Sequence, residues 1–61
     1  MPIVQIDMLE GRSLEQKREM VRKITEVITE TANCPADAVT IVIREASKQH
    51  IAKAGIFMAD K

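Results

Sequence analysis

A chain of 61 residues with a single cysteine and a single histidine cannot staple itself. A domain this small buries a modest share of the surface its unfolded chain exposes. Such chains are marginal without a disulfide, a metal or a partner. Cys34 has no second cysteine to pair with. Cys34 and His50 are too few to make the ligand set of a structural zinc site, so no metal is expected. Association is the remaining route. Hydrophobic residues, 46% of the chain, supply the surface for it.

The pattern of those residues describes the subunit. From Pro2 to Leu9, Val4, Ile6 and Met8 alternate with Ile3, Gln5, Asp7 and Leu9. That is the period of a strand, with apolar residues on both faces. Glu10-Gly11-Arg12 breaks it, and Ser13 with Gln16 forms a capping box at a helix start. The helix is expected from about Leu14 to Ala32, with Met20, Val21, Ile24, Val27, Ile28 and Thr31 as its buried stripe. Glu15, Lys17, Arg18, Glu19, Arg22, Lys23, Glu26 and Glu30 form its wet face. Glu19 and Lys23 are spaced for a favourable ion pair. Asn33-Cys34-Pro35 ends the helix, because proline drives the preceding residue out of helical dihedrals.

Val39 to Glu45 is the second strand, with Val39, Ile41 and Ile43 on one face and Thr40, Val42 and Arg44 on the other. Ile51 to Met58, around Gly55, is read as a small hairpin or loop. The expected fold class is therefore α/β (α+β). A single domain over residues 1–61 holds one right-handed β-α-β unit with a short C-terminal hairpin. The helix covers one sheet face. The other is apolar too, so subunits are expected to pack sheet to sheet as an oligomer.

Nine acidic and nine basic residues leave no net charge, and Phe57 is the one aromatic. Nucleic acid is not an expected partner, since no basic face or stacking aromatics are present. No apolar run approaches a membrane span, and no signal-peptide pattern opens the chain. The single unpaired thiol fits a reducing cytoplasm.

Familiar catalytic sets are scarce. A serine triad would have to use His50 without a nucleophile-elbow sequence, and Cys34 before a proline reads as a small buried thiol. Pro2 is different. Proline after the initiator methionine normally permits removal of that methionine, leaving a secondary amine at the new terminus. An α-amino group has a reference pKa of about 7.7–8.0. An apolar site and a nearby cation lower it further, toward a base matched to neutral pH.

The opening Pro2-Ile3-Val4-Gln5-Ile6, followed by Leu9-Glu10-Gly11-Arg12-Ser13-Leu14-Glu15-Gln16-Lys17, resembles the 4-oxalocrotonate tautomerase family. Val42-Ile43-Arg44-Glu45 and His50 extend the resemblance, which runs from Pro2 to about Gly55. It implies a β-α-β subunit assembled as a homohexamer or a heterohexamer. Pro2 would be the general base that moves a proton in an enol or keto carboxylate, such as a 2-hydroxymuconate-like diacid from aromatic hydrocarbon catabolism. Arg12 from a neighbouring subunit would hold a substrate carboxylate in a bidentate fork. Leu9 and Ile51 would be substrate contacts. No cofactor is implied, because the substrate delocalises its own carbanion.

The chain departs from the family at two positions. Where members carry a second arginine at the start of the second strand, this chain has Thr40. Where they carry an aromatic after the histidine, it has Ile51. Enolate stabilisation must then come from elsewhere, with Arg44, Lys48 or Lys53 as candidate substitutes, or from a different subunit. Two alternatives stay open. One is a hydratase or dehalogenase of unsaturated acids, disfavoured by Lys53 where a water-activating carboxylate would stand. The other is a non-catalytic partner subunit in a mixed hexamer.

Overall fold

In a computed structural model, which describes residues 1–61, the chain forms β1 (Ile3–Leu9), α1 (Leu14–Thr31), β2 (Thr40–Ala46), β3 (Ala52–Lys53) and β4 (Ile56–Phe57). β1 and β2 pair in parallel, Ile3 opposite Thr40 through Leu9 opposite Ala46. This is the expected β-α-β unit. One turn of 3-10 helix, Ala36–Ala38, takes up the chain between α1 and β2, so β2 begins at Thr40 rather than Val39.

The capping box forms as the sequence dictates. The Gln16 backbone N–H donates to Ser13 Oγ at 3.1 Å, and the Ser13 N–H donates to Gln16 Oε1 at 2.9 Å. Ser13→Ala removes one of these and is expected to lower stability by about 1 kcal/mol, read from a denaturant midpoint at fixed protein concentration. The other end of α1 falls where expected, and Asn33 is the residue that turns the chain there. Ala32 caps it, and Asn33 already turns left-handed at φ 55°. Asparagine tolerates that conformation at a helix end, so termination precedes Pro35.

α1 presents Met20, Val21, Ile24 and Ile28 to the sheet as half-buried residues, with Thr25 and Lys17 among them. Two expected stripe members do not join. Val27 is 57% exposed and Thr31 is exposed at the last turn. Lys17, expected on the wet face, lies on the stripe instead and pairs with Glu45 Oε1 at 2.6 Å. The pair ties the first turns of α1 to the end of β2. Val4, Ile6, Met8, Ile41 and Ile43 are the half-buried sheet residues beneath the helix.

The tail is a two-residue hairpin, Lys53 opposite Ile56. Its turn residues Ala54 and Gly55 both take positive φ, 55° and 80°. That matches the primed turn whose twist suits a hairpin.

No residue of the chain is buried, and Ile3, Leu14, Val27, Val42, Ile56 and Phe57 are large exposed apolar residues. The accessible surface is 4802 Å², against roughly 4000 Å² for a compact monomer of this mass. The radius of gyration is 14.8 Å, against roughly 10.5 Å for a compact domain of this length. The chain alone thus leaves its apolar residues without a closed core.

Candidate functional site

The sequence candidates divide between the two ends of the sheet. Pro2 stands at one end. Its carbonyl accepts the Thr40 N–H at 3.0 Å, so the residue that would carry the base is pinned to the first residue of β2. Pro2 itself is half-buried. Thr40 is uncharged, and no cation of β2 stands at this end.

Leu9, Arg12 and Lys48 gather at the other end. The Glu10 N–H donates to the Ala46 carbonyl at 2.9 Å, which carries the strand pairing one step past Leu9. The chain then turns through Gly11, whose φ of 123° suits glycine, and presents Arg12 exposed before the helix cap. A cleft of about 550 Å³ opens there, lined by Glu10, Gly11, Ser47, Lys48, Gln49 and Ala59. Lys48 and Arg12 make no ion pair within the chain. The wall beyond is set by the tail. The Met58 N–H donates to the Ile51 carbonyl at 2.8 Å, and the Ala59 N–H donates to the Lys48 carbonyl at 3.1 Å. Ile51 is half-buried there. His50 sits in the same turn, its Nδ1 3.3 Å from Ser47 Oγ, and is exposed.

The seven residues of β1 separate these two groups, by about 23 Å at the rise of an extended strand. An arginine side chain cannot cross that distance. Pro2 and Arg12 of one chain therefore cannot touch the same small molecule, and each can do so only with the opposite group of another chain.

Arg44 belongs to neither end. Its Nη2 donates to Gln5 Oε1 at 3.0 Å, and its Nη1 lies 3.7 Å from Asp7 Oδ1 on the sheet face away from α1. It is four residues from Thr40 on β2, or about 13 Å. On the solvated side of α1, a hydrogen bond from Arg22 holds the Glu19 carboxyl below its ordinary range, with Lys23 adding to the effect. This network lies away from both groups of candidates.

Two features escaped the sequence reading. Lys17 and Glu45 fall in phase with the apolar stripe and the apolar strand face, and the charge of Lys17 alone argued for solvent. Periodicity was the available signal. The roles of Gln5 and Asp7 depend on strand register, which the sequence does not state.

Comparison with known proteins follows this geometry. A family model described as tautomerase enzyme matches residues 2–61. The chain is 43% identical over 60 residues to 2-hydroxymuconate tautomerase of Bacillus subtilis, covering 98% of this chain and 97% of that one. Among solved structures it superposes on YwhB, a homologue of 4-oxalocrotonate tautomerase, with a TM-score of 0.91 and 42% identity over 98% of each chain. It also superposes on a heterohexamer 4-oxalocrotonate tautomerase from Chloroflexus aurantiacus, with a TM-score of 0.88 and 37% identity, covering 98% of this chain and 97% of that chain.

Proposed function

The chain belongs to the tautomerase family, and from that premise we propose that it is a cofactor-independent keto–enol isomerase of an unsaturated enol carboxylate, with the amine of Pro2 as general base once Met1 is removed. A 2-hydroxymuconate-like diacid is the substrate class. The observation that carries the reading is the opposed placement of Pro2 and Arg12 along β1. It supports a site shared between subunits, each contributing half at either end, in a homohexamer.

In the assembled site, Arg12 of one subunit forks a substrate carboxylate while Pro2 of another takes a proton from carbon and returns it elsewhere on the conjugated chain. The arginine's charge also disfavours a protonated proline amine, which keeps the base free. Leu9 and Ile51 supply apolar contact. Lys48 is the better substitute for the charge absent at Thr40. It lines the cleft beside Gly11 and has no ion pair, whereas Arg44 is held by Gln5 and Asp7. Lys48 would enter with Arg12 and stabilise the developing enolate. Lys48→Gln is expected to lower kcat about tenfold or more, with KM changing less. The chemistry fits a cytoplasmic enzyme.

A second reading, a non-catalytic partner in a mixed hexamer, draws on the neutral Thr40 beside Pro2. One experiment separates the two. Intact mass establishes whether Met1 is absent, and an ultraviolet assay then follows enol-to-ketone conversion by the purified chain. Activity in the processed chain supports the enzyme. A processed, assembled chain with no activity on enol carboxylates supports the partner subunit.

A further inference from the structure

The turn that presents Arg12 has no packing to hold it. A Cβ at Gly11 would meet no atom within 4 Å. Arg12 is exposed and makes no ion pair within the chain. Its place depends on the two ends of the turn, and both are tied to β2. On one side the Glu10 N–H donates to the Ala46 carbonyl at 2.9 Å. On the other, Ser13 caps α1, and the Lys17 N–H donates to the Ser13 carbonyl at 3.1 Å. The Lys17 ammonium in turn donates to Glu45 Oε1 at 2.6 Å. Glu45 and Ala46 are adjacent in β2, so these bonds close a ring through Arg12. Ser47 and Lys48, which line the cleft, follow directly along the chain.

The ion pair stands in an apolar setting. The Lys17 and Glu45 side chains are 24% and 29% exposed and share a groove with Leu14, Val21 and Ile43. Apolar residues would pack there without desolvating two charges, and a pair so placed is a weak source of stability. What the pair adds is direction. A charge-assisted bond fixes a short donor–acceptor distance along one line, whereas apolar attraction is non-directional and lets a helix slide.

We propose that Lys17 and Glu45 are positioning residues for substrate binding: their ion pair closes the ring that holds Arg12 at a set distance from Lys48. The inference rests on the reading that Arg12 forks a substrate carboxylate while Lys48 enters beside it. A fork needs both of its N–H groups on both oxygens, so a displacement of about 1 Å forfeits much of it.

The test compares variants by steady-state kinetics on an enol carboxylate. Ultracentrifugation and circular dichroism establish equal assembly and helix content at the assay concentration. Lys17→Met keeps an unbranched, helix-favouring side chain and removes the charge. It is expected to raise KM about tenfold, with kcat changing less. Glu45→Gln keeps an acceptor in the same place and should raise KM by a smaller factor. The decisive chain carries two changes. Because the pair acts through Arg12, Lys17→Met added to Arg12→Gln should raise KM no further. A pair that serves the fold alone would add its own effect in full. Should Lys17→Met fail to fold, Glu45→Gln carries the same comparisons. Unchanged KM in the single variants, or effects that add in full in the double variant, overturns the inference and leaves the reading of Arg12 standing. Unchanged KM in Arg12→Gln overturns both.

Discussion

Pro2→Ala lowers kcat/KM on an enol carboxylate by about 10²- to 10⁴-fold, the range a positioned general base supplies. The variant still loses Met1 and still ends in an amine, so the loss measures what proline adds. Its nitrogen lies in a ring whose residue is pinned to Thr40 through its carbonyl. The ring restricts the lone pair to a narrow range of directions, whereas an alanine amine turns freely. A primary amine can also condense with a keto acid, a side reaction that removes the base. A chain that retains Met1 is the stricter control. Its Pro2 nitrogen is an amide without a basic lone pair, and its activity should vanish at every pH. The ultraviolet assay, with intact mass on the same sample, reads both outcomes. Unchanged kcat/KM in Pro2→Ala would mean that the proline ring adds nothing, and full activity in the chain that retains Met1 would remove the Pro2 nitrogen from the chemistry.

Arg12→Gln is the second large effect. A charge-assisted fork on a carboxylate is worth about 1.5–3 kcal/mol, so kcat/KM should fall about tenfold to a hundredfold, mainly through KM. The variant has a second signature. With Pro2 as the proposed base, its unprotonated form is the active one, so activity should be lost as the pH falls through the pKa of its amine. Removing the nearby cation raises that pKa, and the acid limb of the kcat/KM profile should move to higher pH. A purely structural role for Arg12, which is exposed on a turn and makes no ion pair, would leave that limb in place. Arg12→Lys should recover part of the limb and little of the KM, because lysine keeps the charge and loses the fork.

The strand and helix periods were legible because each element has one face against a neighbour. Val4, Ile6 and Met8 alternate cleanly, and Ser13 and Gln16 mark the helix start without ambiguity. The two misplaced stripe residues, Val27 and Thr31, share a cause. The two-stranded sheet is too narrow to cover the width and the end of an 18-residue helix. An apolar residue at the right phase can thus lie beyond the sheet and stay exposed on the single chain. Lys17 failed in the opposite sense, since the stripe's phase outweighed its charge once Glu45 stood opposite.

The site was half legible. Its residue types could be read, and the resemblance ordered them. Their separation followed from the strand read between Pro2 and Leu9, which β1 bears out, whereas the place of Lys48 beside Gly11 could not be read. Arg44 shows the limit most plainly. Counting along β2 put it on the same face as Thr40, but only the parallel register brings Gln5 and Asp7 to its guanidinium.

The claim that the site is shared between chains is tested by mixing two chains that are each impaired. Pro2→Ala keeps Arg12, and Arg12→Gln keeps Pro2. Co-assembled at equal amounts, they form sites in which an intact Pro2 meets an intact Arg12 from its neighbour. Random mixing should restore roughly a quarter of the unaltered activity, well above the sum of the two parents. Activity that stays at that sum in verified mixed oligomers would mean that Pro2 and Arg12 do not meet across an interface, and the shared site would be wrong.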